Sequence, residues 1–195
     1  MTRAAARRLL WLALAAPAAV FVVMAARLDT PDWEELLHPT GELSARLLIV
    51  ALAATPLVRL FPTSKAARWL VAHRRAIGVA AFGYAALHFL FYVVAMGSLD
   101  DILAEAGATG IWTGWAALAL TVPLAATSND AMQRRLKAAW KRLQRLAYPA
   151  ALLTLAHWIF VHNDAVAALA HFVPLGLLQL ARFSRPRRIT GEAHA

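Results

Sequence analysis

The chain is 195 residues long, 61% hydrophobic and only 16% charged, and its apolar residues are gathered into long blocks. That composition excludes an ordinary water-soluble domain. The absence of cysteine excludes disulfides, thiolate metal sites and cysteine-held iron–sulfur clusters. The net charge of +9 is spread over short connections between apolar blocks, which points to anionic lipid rather than nucleic acid.

Six apolar blocks, residues 9–26, 43–60, 76–96, 111–126, 147–161 and 165–181, each approach the roughly 20 residues that span a bilayer core as a helix. They lack the alternation of barrel strands. The predicted fold is therefore all-α: one domain, an integral membrane bundle of six transmembrane helices. Every Lys and Arg except Arg27 and Arg46 falls on one side of this arrangement, and every Asp and Glu except Asp130 and Glu192 on the other. This positive-inside pattern places both termini in the cytoplasm.

The first block has a basic start, but its apolar run is longer than the roughly 7–15 residues of a signal-peptide core, so a retained helix is expected. The outer loop that follows, residues 28–42, is acidic. It reads as a solvated amphipathic segment, or as a docking surface for a partner outside the membrane. The second helix is expected to begin near Gly41. Its Arg46 lies just below the outer surface, either snorkelling to the interface or pairing with an anion. Thr55-Pro56 is a potential bend.

The third helix enters from the inside behind Arg74 and Arg75 and carries one deep histidine, His88. An outer connection with Asp100, Asp101 and Glu105 follows. Gly107, Gly110 and Gly114 make the next segment turn-rich and suited to close helix approach. The fourth helix contains Pro123 and ends in the capping cluster Thr127-Ser128-Asn129-Asp130. Residues 130–145 read as an amphipathic helix on the inner surface. It is either a plain connector or an electropositive entry for a flavin phosphate or an acidic cytosolic flavin reductase.

The fifth helix, like the third, opens on a basic residue, Arg145, and carries one deep histidine, His157. His88 lies about 20 Å along its helix from Arg75, and His157 about 18 Å from Arg145. Both helices run from inside to outside, so the two imidazoles share one level in the outer half of the membrane. Ionisable side chains at such depth are costly and point to function. Two imidazoles at one level, beside Tyr84, Phe89, Phe91, Tyr92 and Trp158, suit axial ligation of a haem in an aromatic slot. Arg46 could then meet a haem propionate. His38, His73, His162, His171 and His194 read as ordinary loop or interfacial residues.

Three stretches carry a family resemblance: His38–Arg59 (HPTGELSARLLIVALAATPLVR), Arg74–Tyr92 (RRAIGVAAFGYAALHFLFY) and Leu124–Phe160. They resemble the MsrQ (YedZ) family, haem-binding membrane subunits of a periplasmic methionine sulfoxide reductase system within the ferric-reductase-like transmembrane group. The resemblance implies b-type haem in the bacterial inner membrane. It implies electrons taken from the quinone pool or from a flavin such as FMN on the cytoplasmic side. They would be passed to a soluble periplasmic molybdenum-containing catalytic subunit. His88 and His157 match the family's ligand positions, and Arg46 falls where the family tends to carry a basic residue.

One departure stands out. The family carries a further histidine before the fifth helix, where this chain has Gln144, and an amide does not ligate haem iron as imidazole does. The expectation is one haem, in the outer half, with an inner flavin or quinone site near Arg74, Arg75, Gln144 and Arg145. The chain is then an electron-transfer subunit without its own sulfoxide-reducing site. Two other readings stay open: a ferric-reductase-like carrier serving another periplasmic acceptor, and a non-redox membrane scaffold.

Overall fold

A computed structural model describes residues 2–27 and 32–184. All nine α-helices below, and one 3₁₀ turn, lie in those residues, and no strand occurs among them. The short link at residues 28–31 and the basic and polar tail after Ser184 lie outside the described residues.

The elements are α1 (Arg3–Arg27), α2 (Trp33–Leu60), α3 (Lys65–Met96), α4 (Leu99–Glu105), α5 (Thr109–Ala126), α6 (Asp130–Leu136), α7 (Ala138–Leu143), α8 (Ala147–His162) and α9 (Ala165–Ser184). Each of the six apolar blocks falls inside one helix. Five of these helices, α1, α2, α3, α5 and α9, are long and apolar enough to cross a membrane. The remaining block forms α8, of only 16 residues, about 24 Å at the helical rise. The 3₁₀ turn Gln144–Leu146 lengthens it on the inner side. The chain is a multi-span, all-α membrane protein.

Three boundaries differ from the expectation. The second helix begins at Trp33, two turns before Gly41. Leu36 and Thr40 are buried against the bundle while Glu35 and His38 are exposed, so this extension is an amphipathic helix packed on one face. The third helix begins at Lys65, because the Ser64 side chain accepts the Ala67 N–H and caps a start within the inner connection. His73, expected in a loop, is therefore helical, and Arg74 and Arg75 sit inside the helix. Finally, residues 130–145 do not form one helix. Lys137 adopts φ +48°, unusual for a residue with a side chain, and splits the segment into α6 and α7. The break lets Trp140 donate to the Thr127 carbonyl at 2.9 Å. Gln144 reaches the Leu124 carbonyl at 3.3 Å. The Thr127 carbonyl, past the last turn of α5, gains its donor this way, while the Leu124 carbonyl also accepts the nearer Ser128 hydroxyl at 2.6 Å.

Helix α2 packs chiefly on α3, and α5 on α8, while α9 closes against α2 and α8. Small residues make these approaches close. Ala45, Ala81, Ala151 and Ala168 lie in the core with Leu48, Trp158 and Phe172. Small side chains at the seam let helix backbones approach, as is usual where lipid removes the hydrophobic drive between helices. Ser44 also donates to the Ala81 carbonyl at 2.9 Å, tying α2 to α3.

Helix α1 is peripheral, and none of its apolar window is buried. Tyr84 on α3 fastens it: its hydroxyl donates to the Leu14 carbonyl at 2.7 Å and accepts the Ala18 N–H at 3.1 Å. A side chain is thus inserted into one turn of the α1 ladder, next to Pro17.

Candidate functional site

His88 and His157 face each other across the bundle. Their ring centroids lie 6.0 Å apart, with the ring planes at 80°. The His88 Nδ1 is 2.9 Å from the Leu37 carbonyl on α2. The His157 Nδ1 is 2.6 Å from the Gly110 carbonyl on α5. A carbonyl can only accept, so each Nδ1 carries the proton and each neutral ring keeps its lone pair on Nε2. Neither Nε2 has a hydrogen-bond partner among the described residues. This is the usual preparation of a metal-ligating histidine, with the second nitrogen held by the protein so that tautomer and ring orientation are fixed.

Glycine makes room for both rings. A Cβ on Gly41 would stand 3.0 Å from the His88 ring, and one on Gly114 would stand 2.6 Å from the His157 Nδ1. Gly110, one turn before Gly114, lets α5 close on α8, because a Cβ there would meet Val161 at 2.8 Å. The glycine-rich start of α5 is thus the close contact expected of it.

Both rings line a cavity of ≈ 380 Å³ that runs the height of the bundle, within the usual range for ligand pockets. Phe89, Tyr92, Trp115 and Trp158 contribute aromatic wall around the histidine level. Tyr84 and Phe91, both expected in that wall, are buried elsewhere: Tyr84 is turned to α1, and Phe91 packs against Trp33. The close approach of the two rings, the two Nε2 atoms without hydrogen-bond partners among the described residues and the apolar aromatic wall fit a haem that His88 and His157 would hold.

The inner end of the same cavity is cationic. Arg74, Arg75, Lys141 and Arg145 all line it, together with Gln144. Arg74 donates to the Thr55 hydroxyl at 2.8 Å. Arg75 pairs with Asp130 at 2.6 Å, which holds that carboxyl below its usual range. Arg46, by contrast, does not line the cavity. Its guanidinium is ion-paired with Glu42, one turn earlier on α2, and also reaches His171 at 3.4 Å. Glu42 itself lies on the cavity wall.

Comparison with known proteins shows the family of the chain. The family model described as ferric reductase like transmembrane component matches residues 40–155. A relative from Caulobacter vibrioides is 36% identical over 182 residues, covering 87% of this chain and 83% of its own length. One from Ralstonia nicotianae is 36% identical over 160 residues, covering 79% and 72%. Both are named protein-methionine-sulfoxide reductase heme-binding subunit MsrQ. The chain belongs to the MsrQ family.

A Xanthomonas campestris relative of the same name is 40% identical over 134 residues, but the match spans only 60% of that protein's length. No solved structure matches the chain. The region shared with the wider ferric-reductase-like group includes Thr40, Gly41, His88, Thr113 and Gly114, and stops just before His157.

Several residues at the site of this MsrQ-family chain were not singled out from sequence as site residues. Leu37 was read as part of the outer loop and Gly41 as the start of the second helix, yet both form the surroundings of His88. His38 and His162, read as ordinary, meet edge to face at 4.9 Å and line the outer end of the cavity. The dipeptide Thr-Gly was no sufficient signal, since it occurs at 40–41, 109–110, 113–114 and 190–191. Only at 40–41 and 113–114 does its glycine stand against a cavity histidine ring, and 190–191 lie outside the described residues.

Proposed function

We propose that this chain is a haem b-binding electron-transfer subunit. On this reading it takes electrons from a donor on the cytoplasmic side and delivers them to a methionine sulfoxide reductase catalytic subunit outside the membrane. The observation that carries the reading is the His88–His157 pair: 6.0 Å apart, each Nδ1 committed to a carbonyl, each Nε2 left for a metal. Haem, when bound, supplies reversible one-electron chemistry that no side chain here offers.

His88 and His157 would hold one haem through their Nε2 atoms. The Leu37 and Gly110 carbonyls keep both rings in the ligating tautomer. The apolar helices around the cavity exclude water from the metal, which influences its potential. Arg46 would reach a propionate by exchanging its Glu42 partner. At the inner end, Arg74, Arg75 and Arg145 would attract an anionic donor such as FMN, and Gln144 could bind a flavin or quinone ring edge.

The basic inner connections support insertion in the bacterial inner membrane with cytoplasmic termini. The acidic outer segments would then face a molybdenum-containing periplasmic partner. The printed names of the relatives supply the sulfoxide reductase part of this reading. The ferric-reductase description keeps another outer acceptor as the second reading.

The test is the reduced-minus-oxidised spectrum of the purified chain, together with His88→Ala and His157→Ala. A b-type signal in the unaltered chain, lost in both variants while each remains folded, is expected. A colourless, folded unaltered chain would overturn the reading. Reconstitution with a methionine sulfoxide reductase catalytic subunit, or with ferric chelates, separates the two acceptors.

A further inference from the structure

Three polar residues are buried among the described residues, and two of them, Thr40 at 0% and Thr113 at 2% exposure, stand beside the cavity histidines. The two surroundings repeat one another. Thr40 precedes Gly41, whose missing Cβ clears His88; Thr113 precedes Gly114, whose missing Cβ clears His157. The single Thr40 hydroxyl proton is shared between the Leu36 carbonyl at 2.7 Å and the Leu37 carbonyl at 2.9 Å. The single Thr113 hydroxyl proton is shared between the Thr109 carbonyl at 2.6 Å and the Gly110 carbonyl at 2.9 Å. In each half, the second of those carbonyls is the one that holds the histidine Nδ1.

Back-bonding by a helical threonine is common and by itself bends a helix slightly. Here it has a further consequence. The Leu37 and Gly110 oxygens each hold the histidine N–H and take a share of the threonine hydroxyl, at positions where the α-helical pattern also directs the N–H of Gly41 or Gly114 at them. Donors sharing one oxygen weaken one another. A weaker bond to Nδ1–H leaves the imidazole a poorer electron donor at Nε2, and hydrogen bonding of a ligand tunes the metal it holds.

We propose that Thr40 and Thr113 are positioning residues that set the donor strength of His88 and His157 by competing for their shared carbonyls. The proposal rests on the haem reading above. It assigns to the repeated Thr-Gly pair one geometric task, clearance, and one electronic task, moderation of the ligand. Removing a hydroxyl leaves the carbonyl more fully to the histidine, makes the imidazole more electron-rich and favours the ferric state.

The test is redox titration of the purified, haem-loaded full-length chain, with haem content measured in parallel. Thr40→Val and Thr113→Val keep the shape and remove the hydroxyl; Thr40→Ser and Thr113→Ser keep the hydroxyl and remove the methyl. Each valine variant is expected to retain haem. At the unaltered chain's midpoint, its ferric-to-ferrous ratio should rise by no more than about fivefold, the weight of one whole hydrogen bond. That is a downward shift of at most about 40 mV at 59 mV per tenfold for one electron. Each serine variant should titrate like the unaltered chain. If valine disturbs packing, alanine at one site, with the other intact, serves in its place. Unchanged potentials in the hydroxyl-free variants, or equal shifts with serine, would overturn the proposal. Absence of haem from the unaltered chain would instead strike the reading beneath it.

Discussion

Gly114→Ala is the sharpest test of the site, because the structure fixes where the added methyl must go. Its Cβ would lie 2.6 Å from the His157 Nδ1, 2.8 Å from Cε1 and 3.1 Å from Cγ. Carbon and nitrogen atoms prefer separations of about 3.5 Å or more, so the ring must move by close to 1 Å or α5 must part from α8. Overpacking of this kind costs about 1–3 kcal/mol. Alanine returns about 1 kcal/mol through its better helix propensity. The fold should therefore survive, with a net loss of at most about 2 kcal/mol. The larger effect falls on the ligand, since a displaced ring gives up its 2.6 Å bond to the Gly110 carbonyl. Loss of such an outer partner typically costs about 10- to 100-fold in metal affinity. Gly41→Ala, with its closest contact at 3.0 Å, should do the same more mildly; Gly83→Ala, with nothing within 4 Å, should leave haem binding unchanged and gain up to about 1 kcal/mol of stability. The assay is haem per polypeptide and haem-binding titration of each variant, alongside thermal unfolding in detergent. If Gly114→Ala bound haem as tightly as Gly83→Ala, the placement of His157 against α5 would be wrong.

Other outcomes follow from the same geometry. A pyridine haemochrome assay should give one haem per chain, since Gln144 hydrogen-bonds to the inner end of α5 and supplies no imidazole there; a value near two would refute this. Tyr84→Phe removes the hydroxyl that bridges Leu14 and Ala18. It should lower stability by about 1–2 kcal/mol in a denaturation series while leaving haem content unchanged. Asp130→Asn frees Arg75 from its ion pair at the inner mouth and should tighten FMN binding measured by fluorescence quenching. Because Arg75 lowers the Asp130 pKa, the pair holds above the ordinary carboxylate pKa and is lost only as pH falls through the lowered value. The difference between Asp130→Asn and the unaltered chain should thus persist across neutral pH and vanish in strong acid.

The amino-acid sequence determined the class of this protein. Blocks of apolar residues with basic inner connections admit little besides a helical membrane bundle, because lipid leaves backbone polar groups no partner but their own helix. Counting residues from Arg75 and Arg145 also put His88 and His157 at one depth, since helical rise is fixed. What it left open is how the helices pair and turn about their axes. Only the packed bundle decided that α2 extends outward to bring the Leu37 carbonyl to His88, and that α5 presents the Gly110 carbonyl to His157. Only there do the cations at Arg74, Arg75 and Arg145 share a cavity with the histidines, while Arg46 turns to Glu42. Those outcomes depend on small residues meeting across seams between segments far apart in the chain. Spacing along one helix carries no record of which neighbour it will face.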